Sequence, residues 1–155
     1  MVEEGKAAFE IHLPASTGKP LKLSDLRGKW VVLYFYPKDD TPGCTREACG
    51  FRDNIKRIES QNAIVVGVSP DGLKVHDKFI SKYDLRFILL ADEEHTAAMK
   101  YGVWKAKNMY GKIVMGIERS TFLIDPKGIV RKIWRRAKVE CHADEVLDEL
   151  KAANA

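Results

Sequence analysis

The 155-residue chain has few of the features that mark secreted, membrane-spanning or nucleic-acid-binding proteins. Its three cysteines are an odd, sparse set, which argues against a secreted disulfide framework and favours thiol chemistry in a reducing compartment. No run approaches the ~18 uncharged apolar residues of a membrane span, and the opening MVEEGKAAFEIHL lacks the apolar region of a signal peptide. The net charge of +4 is too small to imply a nucleic-acid partner. We therefore expect a cytoplasmic protein without membrane or nucleic-acid partners.

The chain also lacks repeats, low-complexity tracts and Pro- or Ser-rich linkers, so residues 1–155 are predicted to form a single domain. Four near-continuous apolar runs indicate strands that are covered on both faces. They are WVVLYFY (30–36), AIVVGVS (63–69), RFILLA (86–91) and STFLID (120–125). Helical patterns lie at 42–60, 72–83 and 93–101 and in the final HADEVLDELKAA.

Two hairpins frame this alternation of strands and helices. FEIHLPASTGKPLKLSDL predicts an N-terminal β-hairpin around Ser16–Lys19, and LIDPKGIVRKIW predicts a second one that turns at Asp125–Gly128. Strands that alternate with helices are typical of an α/β fold, here a three-layer sandwich with helices on both faces of a central sheet.

Two of the cysteines lie five positions apart in FYPKDDTPGCTREACGF. Thr41 can serve as a helix N-cap and Pro42 suits the first helical position, so Cys44 falls in the first turn. Cys49 points about 140° away from Cys44 around the helix axis. A core-facing stripe about 80° wide is predicted to contain Cys44, Ala48, Phe51, Ile55 and Ile58.

The helix keeps these two thiols apart. Positions five apart have Cα atoms roughly 8–9 Å from each other, whereas a disulfide needs about 7 Å or less. A Cys44–Cys49 bond therefore requires local unwinding, to which Gly50 contributes a weakness of about 1 kcal/mol relative to alanine.

The chemistry available to Cys44 follows from its place in the first turn. Unpaired backbone N–H groups and the positive end of the helix dipole favour the thiolate, which is the nucleophilic form of cysteine. The alternative that Cys44 or Cys49 is simply a small packing residue stays open at this point. A metal site is not indicated, because the chain lacks a CxxC motif and its histidines are scattered. These histidines, which look incidental, are His12, His76, His95 and His142.

The segment FYPKDDTPGCTREACGFRD resembles the active-site segment of the bacterioferritin-comigratory-protein or peroxiredoxin Q branch of the peroxiredoxins. MYGKIVMGIERSTFLIDPKG resembles the second signature of that branch, and the similarity extends over nearly the whole chain. Pro37, Thr41 and Cys44 meet the spacing Pro-x-x-x-Thr-x-x-Cys, and Arg119 follows later at the edge of a strand. The resemblance implies a thioredoxin-like fold with a mixed central sheet, and a peroxidase that uses no cofactor or metal.

The resemblance also implies a role for each residue of the site. Cys44 would be the peroxidatic cysteine, oxidised to a sulfenic acid, and Cys49 the resolving cysteine of an intramolecular disulfide. Thr41 and Arg119 would be the polar partners of the thiolate and the peroxide, and Pro42 would shield the site from water. The implied substrates are hydrogen peroxide and organic hydroperoxides, and the implied reductant is thioredoxin or a similar dithiol. A monomer is expected, since both thiols belong to one chain.

Several features allow two interpretations. Cys141 stands where this branch often has glycine, and is either an incidental thiol or an alternative resolving or intermolecular cysteine. The basic stretch VRKIWRRAKV is interpreted as the solvated face of an outer strand rather than a single-strand nucleic-acid site. A last set either frames an apolar pocket for larger hydroperoxides or serves packing: Met99, Tyr101, Trp104, Met109 and Tyr110.

Acidic residues around the predicted helix start are expected mainly to complement its dipole; they are Asp39, Asp40 and Glu47. Two other functions would use the same cysteines. One is a thiol–disulfide oxidoreductase, disfavoured because such sites use CxxC, and the other is a redox sensor or holdase that exposes apolar surface on oxidation.

Overall fold

The computed structural model describes all residues, Met1–Ala155. Its strands are β1 (His12–Leu13), β2 (Leu21–Lys22), β3 (Trp30–Phe35), β4 (Ala63–Ser69), β5 (Ile88–Ala91), β6 (Trp104–Met109), β7 (Lys112–Ile117), β8 (Ser120–Ile124) and β9 (Val130–Arg135). Its helices are α1 (Pro42–Asp53), α2 (Ile55–Ser60), α3 (Leu73–Tyr83), α4 (Thr96–Lys100) and α5 (His142–Ala153), and a 3-10 turn spans Leu23–Leu26. No helix combines the length and the hydropathy that crossing a bilayer requires.

Five strands form the central sheet in the order β5-β4-β3-β8-β9. β3 pairs in parallel with β4, and β4 with β5, whereas β8 is antiparallel to both β3 and β9. The sheet is therefore mixed. The four predicted apolar runs are confirmed as strands β3, β4, β5 and β8, four of its five strands. The basic stretch begins on β9, which is an edge strand of the sheet as the sequence indicated.

The core lies on both faces of this sheet, which gives the predicted three-layer α/β architecture of the thioredoxin-like fold. Successive side chains of β3 alternate between two apolar clusters, because neighbouring residues of a strand point to opposite faces. One cluster packs under α1, α2, α3 and α5. The other packs under α4 and the N-terminal segment, which contains the predicted hairpin as the short pair β1 and β2.

The predicted helix 42–60 is interrupted at Asn54, which separates α1 from α2. Asn54 has a non-helical ψ of 7°, and its side-chain Nδ2 donates to the Gly50 carbonyl at 2.9 Å. Asparagine side chains compete with backbone groups for such hydrogen bonds, which explains why the helical pattern does not continue through this position.

The β6–β7 hairpin was not predicted, because its turn is Tyr110–Gly111 rather than the usual Asn-Gly or Asp-Gly. Both turn residues have positive φ, 53° and 81°, as a two-residue hairpin turn of type I′ requires. Tyr110 at the tip is fully exposed, whereas Tyr101 lies in the core with no exposed surface. The aromatic and methionine residues of this region therefore do not frame one pocket.

Candidate active site

The first turn of α1 presents the Cys44 thiol toward the interior. Pro42 is the first helical residue, Thr41 occupies the N-cap position, and Cys44 is 1% exposed. The predicted core stripe is confirmed, since its other four members are also buried: Ala48, Phe51, Ile55 and Ile58.

Arg119 reaches Cys44 from a distant part of the chain. It directly precedes β8, and the pairing of Phe35 with Ser120 places it beside the end of β3, where the loop into α1 begins. Its Nη2 donates to Cys44 Sγ at 3.3 Å. Gly43 permits this approach, because a Cβ at that position would lie 3.3 Å from Nη2. The structure thus brings together the two residues that the sequence resemblance paired.

The sequence interpretation named Glu47 near the helix start but missed its contact with Arg119 in this site. Arg119 Nη1 donates to Glu47 Oε1 at 2.6 Å, so one guanidinium contacts both the carboxylate and the thiol. Glu47 is 2% exposed, so the expectation that it complements the helix dipole from the surface is wrong. The available signal was its spacing, since a residue three positions after Cys44 lies on the same side of a helix.

Burial governs the electrostatics of this cluster. Removal from water raises the pKa of Glu47 from 4.5 to about 7, against the opposing effect of Arg119. Burial also tends to lower the pKa of Arg119, but the Glu47 carboxylate and the Cys44 sulfur raise it above its ordinary value. The guanidinium therefore stays charged beside the sulfur at any relevant pH.

Thr41 and Pro42 lie at the start of the helix and make no hydrogen bond to the Cys44 sulfur. The Thr41 hydroxyl donates to the Lys38 carbonyl at 2.8 Å, and it makes no capping bond to the helix amides. Pro42 is exposed at the first helical position. The N-cap position of Thr41 agrees with the sequence interpretation, but the capping hydrogen bond itself is absent.

The other two cysteines occupy different surroundings. Cys49 lies half-buried on the same continuous helix as Cys44, and all three cysteines are free thiols. Cys141 is exposed and adopts a φ of 60° immediately before α5, a backbone conformation that suits glycine. Cys141 borders a surface cleft with Glu47 and Gly50 on the α1 side.

Two of the histidines are not incidental. His76 and His142 are fully buried, and His142 Nε2 lies 2.7 Å from the Thr121 hydroxyl. Asp39 and Asp40 likewise do not serve the dipole of α1. Asp39 contacts His76 at 2.6 Å, whereas Asp40 accepts hydrogen bonds from side chains of α3.

Known proteins resemble this chain in sequence and, where their structures are solved, in fold. Residues 5–133 match the sequence profile of the AhpC/TSA family. Peroxiredoxin Bcp of Bacillus subtilis (strain 168) is 51% identical over 150 residues, which cover 97% of this chain and 96% of that protein. The crystal structure of a cysteine-to-serine mutant of Xylella fastidiosa PrxQ has a TM-score of 0.95 at 40% identity, covering 100% of this chain and 99% of that one. Xanthomonas campestris bacterioferritin comigratory protein, which has alkyl peroxide reduction activity, has a TM-score of 0.89 at 44% identity and covers 94% of this chain and 92% of its own.

Proposed function

Since the chain belongs to the AhpC/TSA family and is a thiol peroxidase of the Bcp/PrxQ peroxiredoxins, we propose that Cys44 is its peroxidatic cysteine. The observation that carries this assignment is the contact of Arg119 Nη2 with Cys44 Sγ at 3.3 Å, at the positive end of a helix. A fixed guanidinium and a helix N-terminus both favour a sulfur anion at this position.

In the first step the Cys44 thiolate attacks one peroxide oxygen and the O–O bond breaks. The sulfur becomes a sulfenic acid, and the departing oxygen leaves as hydroxide or alkoxide and takes a proton from solvent. Arg119 is fixed before the reaction by Glu47 at 2.6 Å, so it stabilises the developing negative charge without reorganising.

Thr41 and Pro42 complete the proposed site. The Thr41 hydroxyl lies three residues before Cys44 and becomes a donor to bound peroxide once it leaves the Lys38 carbonyl, which needs only a rotamer change. Pro42 covers the first turn without offering an N–H group of its own.

In the second step the Cys49 thiol condenses with the sulfenic acid, releasing water and forming the Cys44–Cys49 disulfide. Both residues lie on the intact helix α1, so this bond forms only after local unwinding. A thioredoxin-like dithiol then reduces this disulfide by exchange. The Cys44 and Cys49 thiols are restored, and the reductant departs with its own two thiols oxidised to a disulfide.

The proposed substrates, oligomeric state and location each have their own support. Hydrogen peroxide and organic hydroperoxides are the proposed substrates, supported by the alkyl peroxide reduction activity of the X. campestris relative. A monomer is proposed because both thiols lie on one helix, and a cytoplasmic location because all three cysteines are free.

The test is peroxide consumption coupled to thioredoxin, thioredoxin reductase and NADPH. Cys44→Ser should abolish it, whereas Cys49→Ser should keep one stoichiometric oxidation and lose turnover; Cys141→Ser, which changes an exposed thiol, is the matched control. Peroxide consumption that survives Cys44→Ser unchanged would overturn the proposal. A single oxidation without turnover in the wild type would indicate a redox sensor instead.

A further inference from the structure

A buried imidazole lies behind the loop that leads into α1. His76 of α3 has no exposed surface, and its Nδ1 is 2.6 Å from Asp39 Oδ2 while its Nε2 is 2.9 Å from the Leu90 carbonyl oxygen. A carbonyl can only accept, so Nε2 carries a proton. Asp39 also accepts a hydrogen bond from the Tyr36 hydroxyl at 2.5 Å, as a carboxylate does. The partners on both sides of His76 therefore call for the doubly protonated imidazolium.

Asp39 connects this imidazole to the active site. It lies in the loop between β3 and α1, five residues before Cys44, and its backbone N–H donates to Asp71 Oδ2 at 2.8 Å. The next residue, Asp40, is also held by α3, through Lys82 at 2.8 Å and Tyr83 at 2.7 Å. These Asp40 contacts are exposed, and exposed ion pairs contribute about 0–1 kcal/mol. The buried pair is the firmer of the two attachments.

We propose that His76 is a positioning residue for the peroxidase reaction: as an imidazolium bonded to Asp39 it holds the loop 37–41, and with it the first turn of α1, so that the Cys44 sulfur stays against Arg119. This inference rests on the proposed role of Cys44. No residue of the pair contacts the sulfur, so its effect must pass through the position of the loop.

The charged and titratable groups around His76 favour its cationic form. Asp39 faces it from the loop after β3, Asp71 from the loop after β4, and the Leu90 carbonyl from β5; Tyr36 acts through Asp39. Burial tends to lower the pKa of His76, but the hydrogen bond and charge of Asp39, the Leu90 carbonyl and Asp71 raise it above 6.5. A raised pKa means that the ion pair is complete at low pH and is lost as pH rises through the folded-state value.

The same cluster contains the residue types of a divalent-cation site. Ligand atoms of Asp39, Asp71 and His76 all lie within 4.8 Å of one another. Both ring nitrogens of His76 are nevertheless engaged in hydrogen bonds, and Asp71 Oδ2 accepts from Ser69 as well as from the Asp39 N–H. We therefore assign the cluster as an ion pair within a hydrogen-bond network.

The protonation state is tested directly on the wild-type protein by ¹⁵N NMR of the histidine rings at neutral pH. We expect both His76 nitrogens to carry protons. A His76 ring with one unprotonated nitrogen would overturn the inference, and this measurement does not depend on any variant folding.

The positioning role is tested by the second-order rate constant of Cys44 oxidation as a function of pH. In the wild type it should fall as pH rises through the folded-state pKa of His76, which lies above 6.5. In His76→Gln, which has no charge to lose, this fall in rate should be absent. The rate at neutral pH should be about tenfold lower, because about 1 Å of misplacement can cost about 100-fold and a smaller shift of the sulfur costs less. Asp39→Asn should lower the neutral rate similarly, and His12→Gln, which changes an exposed histidine, should match the wild type.

Two failures of this test are distinguishable. If His76→Gln and Asp39→Asn melt at a lower temperature but keep the wild-type rate and pH profile, the pair is only structural and the inference is wrong. If Cys44→Ser keeps full activity in the same assay, the proposed function fails instead.

Discussion

The two proposed redox cysteines of helix α1 differ in how firmly their surroundings hold them. At the N-terminal end Cys44 and Glu47 are 1% and 2% exposed, and Arg119 contacts both. Toward the C-terminal end Cys49 is half-buried beside Gly50, and the helix ends at Asp53. The difference teaches how one helix can serve two steps: Arg119 holds the first thiol for attack, while the second lies beside Gly50, which lowers the cost of unwinding.

Arg119→Lys should remove most of the rate advantage that Cys44 gains at the N-terminal end of α1. Lysine keeps the charge but cannot contact Glu47 and Cys44 at the same time with a planar fork. We expect Cys44 oxidation to slow about 100-fold, as losing one preorganised donor does in other enzymes. Stopped-flow measurement of the first oxidation checks this.

The control for Arg119→Lys is Arg136→Lys, since the Arg136 side chain is 87% exposed and its Nε lies 3.6 Å from Glu118 Oε2. An Arg119→Lys rate within twofold of the wild type would contradict the assignment of Arg119 as the main donor to the reacting sulfur.

Glu47, near the N-terminal end of α1, should make the stability of the protein depend on pH. Its pKa is raised from 4.5 to about 7 in the folded protein, so the native state keeps a proton that the unfolded state releases. The free energy of unfolding should therefore fall as pH rises from about 4.5 to 7, by about 3 kcal/mol in total. Glu47→Gln should lose this slope in urea denaturation at several pH values.

Glu59→Gln, which changes an exposed carboxylate on α2, should keep the wild-type slope. Wild-type stability that stays flat or rises between pH 4.5 and 7 relative to Glu47→Gln would show that Arg119 keeps the carboxylate ionised despite its burial.

Gly50→Ala should make the part of α1 around Cys49 harder to unwind, and so more like the part around Cys44. A Cβ at Gly50 would lie 3.8 Å from the Cβ of Ala143, an ordinary contact, so alanine fits. Alanine favours the helix by about 1 kcal/mol, which corresponds to about fivefold slower unwinding. We expect disulfide formation to slow by that factor while Cys44 oxidation stays unchanged, as followed by rapid quench and mass spectrometry. Unchanged disulfide formation would place the rate-limiting opening elsewhere.

The parts of the fold that the sequence predicted are those encoded by local pattern. The central strands were readable because near-continuous apolar runs suit a sheet covered on both faces. The core stripe of α1 was readable because Pro42 marks the start of the helix and side chains repeat every 3.6 residues. The position of Cys44 in the first turn followed from the same two signals.

The missed features depend on local exceptions or on long-range contacts. Asn54 ends α1 through its own side chain, and Tyr110–Gly111 forms a turn that residue preference does not favour. Glu47 looked like a surface carboxylate because its partner, Arg119, lies 72 residues away. His76 looked incidental because Asp39 lies 37 residues before it.

By itself the sequence determined the α/β class, the strands of the central sheet and a cysteine in the first turn of a helix, because periodicity and capping act between residues close in the chain. The pairing of Arg119 with that cysteine came from the family resemblance, and only the tertiary structure decided that Glu47 joins them and that His76 holds the loop before the helix. A charged side chain becomes buried only when a distant partner offsets its lost hydration, and that partner is known only once the chain has folded.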